Sequence, residues 1–313
     1  MAQIIFFGNE RIATGVTTTA PTLQALITAG HTVLAVVVAQ EIGAKSRSNR
    51  ELEIIGVAAA HNITVYSPSK LSEVKEELVA LQPDIGVLVA YGKLVPQSVI
   101  DIFPHGIINI HPSLLPAHRG SIPLEAAMLA GDAQTGVSLM QLVREMDAGP
   151  TYAQAAVELG GTETKQHLAD TLLKMGGEML LQVLPSVLDG SLVPTPQPTG
   201  EVLYDPRLEK TAGLIEANGW NRPAVEIERM VRALADWPRV RTTFGNYDII
   251  ITAAHIVVPT EDDSYPGAAA GTIFNDGKTL GVHTQDNLLI IDSLIPAGKK
   301  EMSAQAFLAG YSL

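Results

Sequence analysis

The sequence predicts an α/β fold: a doubly wound, mostly parallel sheet covered by helices, then a second, smaller domain built as a β-barrel. Three observations lead there. Up to residue 192, short runs that are apolar throughout alternate with amphipathic stretches at βαβ spacing, as strands buried on both faces do. Prolines then alternate through residues 193–200, where neither a helix nor a central strand can continue. Beyond them, short strands are punctuated by Gly, Asn and Asp, as in small barrels. The expected organisation is a domain over 1–192, a linker over 193–206 and a domain over 207–313.

Each element follows from local pattern. Residues 4–7 form an apolar strand that ends at Gly8, and 19–29 read as a helix with Gly30 at its C-cap position. Strands follow at 32–39, 63–66, 85–90 and 107–110, separated by helices at 51–61 and 71–81. Residues 137–142 and 152–157 read as further strands. The long helical stretch at 164–188 is expected to break near Gly176-Gly177 and at Pro185. After the linker, one helix is expected at 224–234 and strands at 247–252, 270–275, 279–283 and 288–294.

Composition narrows the function classes. The 313 residues exceed the roughly 100–200 of one domain. With 46% hydrophobic and 17% charged residues the chain can build a core. The net charge of −12 disfavours a general nucleic-acid binder, although the acidity falls mainly before residue 207 and leaves room for a local basic patch beyond it. The absence of cysteine excludes disulfides, thiolate metal sites and a cysteine nucleophile. Neither a signal peptide nor a membrane span is legible, so a soluble, cytoplasmic protein is expected.

The chemistry concentrates between residues 106 and 120. Asn109 and His111 lie two apart at the end of a strand and so face one space. Pro112 stops the strand there. An amide donates hydrogen bonds to a developing oxyanion, and an imidazole moves a proton near neutral pH. Asp147, just after the 137–142 strand, is the candidate carboxylate to orient the imidazole and favour its charged form. Other readings are weaker. His105, His111 and His118 are separated by a strand and a loop, which argues against a metal site. Ser113 and Ser121 lack the Gly-x-Ser-x-Gly setting of a hydrolase nucleophile, and the Gly8 turn lacks a dinucleotide fingerprint.

Around the trio stands an ordered set of motifs. Asn109-Ile-His111 is followed by Ser113-Leu-Leu-Pro116, Arg119-Gly120 with Pro123, Ala130-Gly131-Asp132, residues 135–140 and Asp147-Ala-Gly149. Ala90-Tyr91-Gly92 precedes Leu94-Val95-Pro96. Later come Ala235-Asp-Trp-Pro238 with Thr242-Thr-Phe244, and residues 296–300 with Met302-Ser-Ala304 and Phe307-Leu308. In these residues, over most of its length, the chain resembles the folate-dependent formyltransferases.

The resemblance implies a Rossmann-like formyltransferase domain and an OB-like C-terminal domain. It implies 10-formyltetrahydrofolate as formyl donor, initiator methionyl-tRNA as acceptor, a place in translation initiation, no metal and no membrane partner; a monomer is expected. It carries the catalytic role onto Asn109, His111 and Asp147, with protonated His111 and Asn109 stabilising charge or His111 relaying a proton. It carries folate contact onto Ser113, Leu114, Leu115, Pro116, Ala90, Tyr91 and Gly92. Candidates for tRNA phosphates are Lys45, Arg47, Arg50, Arg239, Arg241, Lys299 and Lys300. The chain departs from the family's Gly-Thr-Pro after the first strand, where it has Gly8-Asn9-Glu10, and its 40–50 loop is shorter and less basic than usual. An amino-sugar N-formyltransferase, a formyl-folate hydrolase and a folate-sensing or RNA-binding module without catalysis are the alternatives.

Overall fold

The computed structural model describes residues 1–39, 52–199, 202, 204–258 and 268–313. It divides into two compact units. The first comprises Met1–Ala127, Ala133–Leu159 and Gln166–Arg207, the second Met128–Asp132, Gly160–Lys165 and Leu208–Leu313.

The sheet of the first unit has seven strands among the described residues. In chain order they are β1 (Gln3–Gly8), β2 (Thr32–Val37), β3 (Thr64–Tyr66), β4 (Ile85–Val89), β5 (Ile107–His111), β7 (Gln134–Gln141) and β8 (Thr151–Glu158); the two-residue β6 (Arg119–Gly120) lies outside it. Their order across the sheet is β3-β2-β1-β4-β5-β7-β8. The first five are parallel, and β7 and β8 add on antiparallel. β4 and β5 are buried at every position, as their unbroken apolar runs require. The chain starts at β1, moves outward to β2 and β3, then returns to β1's other flank at β4. Such a reversal leaves a crevice at the carboxyl ends of the two central strands, where open α/β sheets bind ligands.

The helices of this unit are α1 (Pro21–Thr28), α2 (Glu53–Ala60), α3 (Lys75–Ala80), α4 (Gln97–Ile100), α5 (Pro123–Ala130) and α6 (Lys165–Leu188), the last two crossing the unit boundary at one end. The expected break in the long helix does not occur: α6 runs unbroken for 24 residues through both glycines and Pro185. A Cβ on Gly176 would lie 2.5 Å from Cγ2 of Ile110 and 3.2 Å from Cγ2 of Val137. The glycine therefore brings the helix close onto β5 and β7 instead of ending it. Pro185 falls in the last turn, where it removes a single helical hydrogen bond while Leu184 and Val187 stay buried.

The segment after α6 is tied into the first unit. Thr195 and Thr151 exchange both backbone hydrogen bonds at 2.8 Å, and β9 (Tyr204–Asp205) pairs in parallel with β6.

The second unit is an antiparallel half-barrel. Its strands β10 (Val240–Phe244), β11 (Tyr247–Val257), β14 (Leu288–Pro296), β13 (Leu280–His283) and β12 (Ile273–Asn275) lie in that spatial order, with β15 (Met302–Ser303) on β14. Helix α7 (Ala224–Ala233) buries Ile227, Met230 and Val231 in a core with Ile249, Ile251, Val282 and Leu289. Asp286 Oδ1 accepts the first amide of α7 at 2.8 Å, supplying a cap that Pro223 at the N-cap position cannot. Short α8 (Ala304–Gly310) closes the core with Phe307. β10 and α8 were not legible as elements, and the strand expected from 270 begins only at Ile273.

Candidate active site

Asn109 and His111 stand on one face of β5, 6% and 4% exposed. Asn109 lies opposite Leu88 of β4 and Met140 of β7, so both flanking strands fix its backbone. Its amide has no hydrogen-bond partner among the described residues, which leaves two donors and an acceptor for a ligand.

The imidazole of His111 is held from two sides. Nε2 lies 3.0 Å from the carbonyl oxygen of His118, and Nδ1 lies 3.8 Å from Oδ1 of Asp147. A carbonyl only accepts, so Nε2 carries the hydrogen and Nδ1 is the basic nitrogen, on the side of Asp147. Burial lowers the pKa of His111 below 6.5; Asp147 and the His118 carbonyl pull it up, and the charges of His118 and Arg119 push it further down. The resting ring is thus neutral at neutral pH. Its neighbours favour the cation, but lost hydration outweighs them.

Asp147 occupies a left-handed backbone conformation, φ 50°. Its Oδ2 accepts the amide of Gly120 at 2.8 Å. Gly149, two residues on, lies so close to β7 that a Cβ there would stand 1.8 Å from the Gln141 carbonyl oxygen. The Asp-Ala-Gly sequence is what this turn needs: a residue tolerant of positive φ, then one without a side chain. Gln197 fastens the turn. Its Nε2 donates to the carbonyls of Asp147 at 2.8 Å and Gly149 at 2.7 Å, and its Oε1 accepts from Arg119 Nε at 3.1 Å and Nη2 at 2.6 Å.

The 113–116 loop is braced from below. The Ser113 hydroxyl is fully buried and donates to the Ala117 carbonyl at 2.6 Å. Ser138 Oγ donates to the Ser113 carbonyl at 2.6 Å and accepts from the Leu115 amide at 3.1 Å, and Gln154 Nε2 bonds the Leu115 carbonyl at 2.8 Å. Leu115 is buried; Leu114 and Pro116 are half-buried. Beside β5, the end of β4 turns sharply through Ala90 and Gly92, both at positive φ. The Tyr91 ring packs edge-on to Phe7 at 5.9 Å in the core, and burial pushes its hydroxyl up to about 12.

The basic candidates sort differently. Lys45, Arg47 and Arg50 lie outside the described residues. Arg239, Arg241, Lys299 and Lys300 all belong to the second unit. The Arg241 guanidinium is engaged by the Lys210 carbonyl, and Arg239 Nε donates to the Asp236 carbonyl at 3.3 Å. Lys299 and Lys300 are exposed after β14.

No three His, Asp or Glu side chains among the described residues are placed to hold a metal ion. His105 precedes β5, at the end away from His111, and the His118 ring binds Asp205 at 2.8 Å. His118, Gly120, Gln197 and Asp205 were not singled out from sequence as site residues. Arg119-Gly120 carried a family motif; Gln197 carried only the alternating prolines around it.

Residues 9–184 match the family model described as formyl transferase, and residues 207–312 match formyl transferase, C-terminal domain. Over 312 residues the chain is 38% identical to methionyl-tRNA formyltransferase of Chloroflexus aurantiacus, covering 98% of this chain and 96% of that protein. Over 314 residues it is 35% identical to methionyl-tRNA formyltransferase of Methylococcus capsulatus, covering 99% and 97%. Its fold is similar to that of the N-formyltransferase from Helicobacter canadensis, solved with folinic acid and dTDP-3-aminofucose: TM-score 0.68, 15% identity, 93% of this chain and 99% of that one.

Proposed function

The chain belongs to the formyl transferase family, and from that premise we propose that it moves the formyl group of 10-formyltetrahydrofolate to the α-amine of methionyl-initiator tRNA, in the cytoplasm, at the start of translation. The observation that carries the chemistry is the ring of His111, tied at Nε2 and left basic at Nδ1 beside Asp147.

The donor supplies an activated formyl group on nitrogen. The residues present fit such a molecule. The Asn109 amide lacks a partner among the described residues, and Leu114 and Ala90, both half-buried, offer apolar surface where β5 and β4 end. We assign folate contact to the 113–116 loop through its backbone, Leu114 and Pro116, because the Ser113 hydroxyl is consumed in bracing the turn. At the β4 end we assign it to the Ala90 and Gly92 backbone.

The attacking amine must be neutral and must shed a proton as it bonds to carbon. Neutral His111 accepts that proton at Nδ1, and Asp147 stabilises the cation formed there. General-base assistance of this kind contributes about 10²–10⁴-fold. Asn109 donates to the oxygen that gains charge during attack. His111 then gives the proton to N10 of the folate as the bond between N10 and the formyl carbon breaks and tetrahydrofolate leaves; the charge on His111 is transient, not a standing feature of the site.

The test is direct. Purified protein is given 10-formyltetrahydrofolate with charged initiator tRNA, and in parallel with amino-sugar nucleotides or no acceptor. Formyl-methionyl-tRNA is the expected product. Transfer to the sugar alone, or formate release alone, would overturn the assignment.

A further inference from the structure

We propose that Gln197, in the proline-rich segment after α6, is a positioning residue for the reaction: it holds the Asp147 turn in place so that the carboxylate stands beside Nδ1 of His111. The inference rests on the catalytic reading of Asn109, His111 and Asp147 and extends it to a segment whose composition reads as a linker.

The geometry is specific. The Gln197 side chain makes four hydrogen bonds, each in the sense its chemistry allows. The amino group donates to two carbonyls, those of Asp147 and Gly149, which bracket the turn. The oxygen accepts twice from the Arg119 guanidinium. A flipped amide would set its oxygen against two carbonyls and its hydrogens against Arg119, so only one orientation is possible. Arg119 is itself 8% exposed and donates through Nη1 to the Tyr204 hydroxyl at 3.1 Å. Its neighbour Gly120 supplies the amide that holds Asp147 Oδ2. The two grips on Asp147, one on its main chain and one on its carboxylate, thus meet at Arg119-Gly120.

Such a clamp answers a need. A non-glycine residue at positive φ persists where its surroundings over-determine it. Here the turn must also keep a carboxylate within reach of a ring that makes no direct hydrogen bond to it, at 3.8 Å. The chain around Gln197 is prepared for the task. Pro196 and Pro198 restrict its backbone on both sides, and the paired bonds between Thr195 and Thr151 anchor it two residues upstream. Among the described residues, three charged or titratable groups act on His111: Asp147, His118 and Arg119. Gln197 contacts two of these three residues, Asp147 at its carbonyl and Arg119 at its guanidinium.

The experiment uses the full chain with Gln197→Ala and Gln197→Met. The Met variant keeps the length of the side chain and adds no charge, but cannot donate to the two carbonyls, so it removes the clamp on the turn without disturbing the local charge balance. Both are expected to lower kcat by about 10–100-fold, with KM for the formyl donor within about twofold, since small misplacements of reacting groups cost on that scale. The acid limb of the kcat–pH profile should move to lower pH, and the His111 ring resonance, followed by NMR without any acceptor, should titrate at lower pH to match. Wild-type kcat in either variant would overturn the proposal. So would a loss of kcat, or of folded protein, with the His111 titration unmoved in the variant that stays folded. If wild-type protein formylates no methionyl-tRNA, the functional reading fails instead, and the NMR titration still decides whether Gln197 sets the environment of His111.

Discussion

Nδ1 of His111 and Oδ1 of Asp147 stand 3.8 Å apart, close enough for charge to be felt and too far for a hydrogen bond. A neutral ring with its hydrogen on Nε2 has a lone pair at Nδ1 and nothing to donate there. The carboxylate waits for a proton that arrives only during reaction.

Replacing Asp147 by Asn keeps an oxygen for the Gly120 amide and removes the charge. Formyl transfer is expected to fall about 100-fold or more, within the range of general acid–base effects. Asp147 raises the pKa of His111, so its loss moves the acid limb of kcat/KM further below 6.5. A pH profile of purified D147N against wild type measures both; an unchanged acid limb would separate the two residues functionally.

Asn109→Ala removes an amide that has no partner among the described residues. A donor to developing negative charge is worth about 2.7–4 kcal/mol of barrier, so kcat should drop about 10²–10³-fold. Because the interaction grows with charge, KM for the donor should change little. Steady-state kinetics at saturating acceptor distinguish this from a plain binding defect, in which KM alone would rise.

Stability should depend on Glu10. This residue has no exposed surface, and burial raises its carboxyl from 4.5 to about 6, against the lowering effect of the Leu23 and Thr22 amides that it caps at 2.9 Å. Between pH 4.5 and 6 the folded chain binds more protons than the unfolded one, so this group's contribution declines as pH rises through 6. The size is about 2 kcal/mol. Urea unfolding at pH 5 and pH 7 should show that decline in wild type and lack it in Glu10→Gln. Parallel curves for the two proteins would contradict the account.

Phosphate contacts release counterions, so acceptor binding should weaken steeply with salt. Lys299→Ala with Lys300→Ala should flatten the slope of log KM for tRNA against log salt by roughly 1.4 to 1.8. Titrating KM over a salt series reads this out, and an unaltered slope would exclude both lysines from the contact.

What was legible in the sequence was whatever local pattern encodes. Asn109 and His111 could be paired because strand periodicity puts them on one face and Pro112 ends the strand. The parallel sheet followed from apolar runs that were equally apolar on both faces. Three features were not legible, each for a tertiary reason. Gly176 resembles a helix breaker unless Ile110 is known to press against it. The charge state of His111 depends on burial and not on the residue's type. Gln197 lies 50 positions from Asp147, and neither residue signals the other.

The bridge from Thr195 to Thr151, with the pairing of β9 on β6, bears on how proteins of this architecture could be recombined. By composition, the natural seam for a chimaera is the proline run. By structure, a graft made at residue 192 would bring in a foreign residue to face the Asp147 turn and a foreign strand to lie on Arg119-Gly120. Crossovers placed after Arg207 exchange the C-terminal unit and leave the formyl-transfer machinery with its own tail.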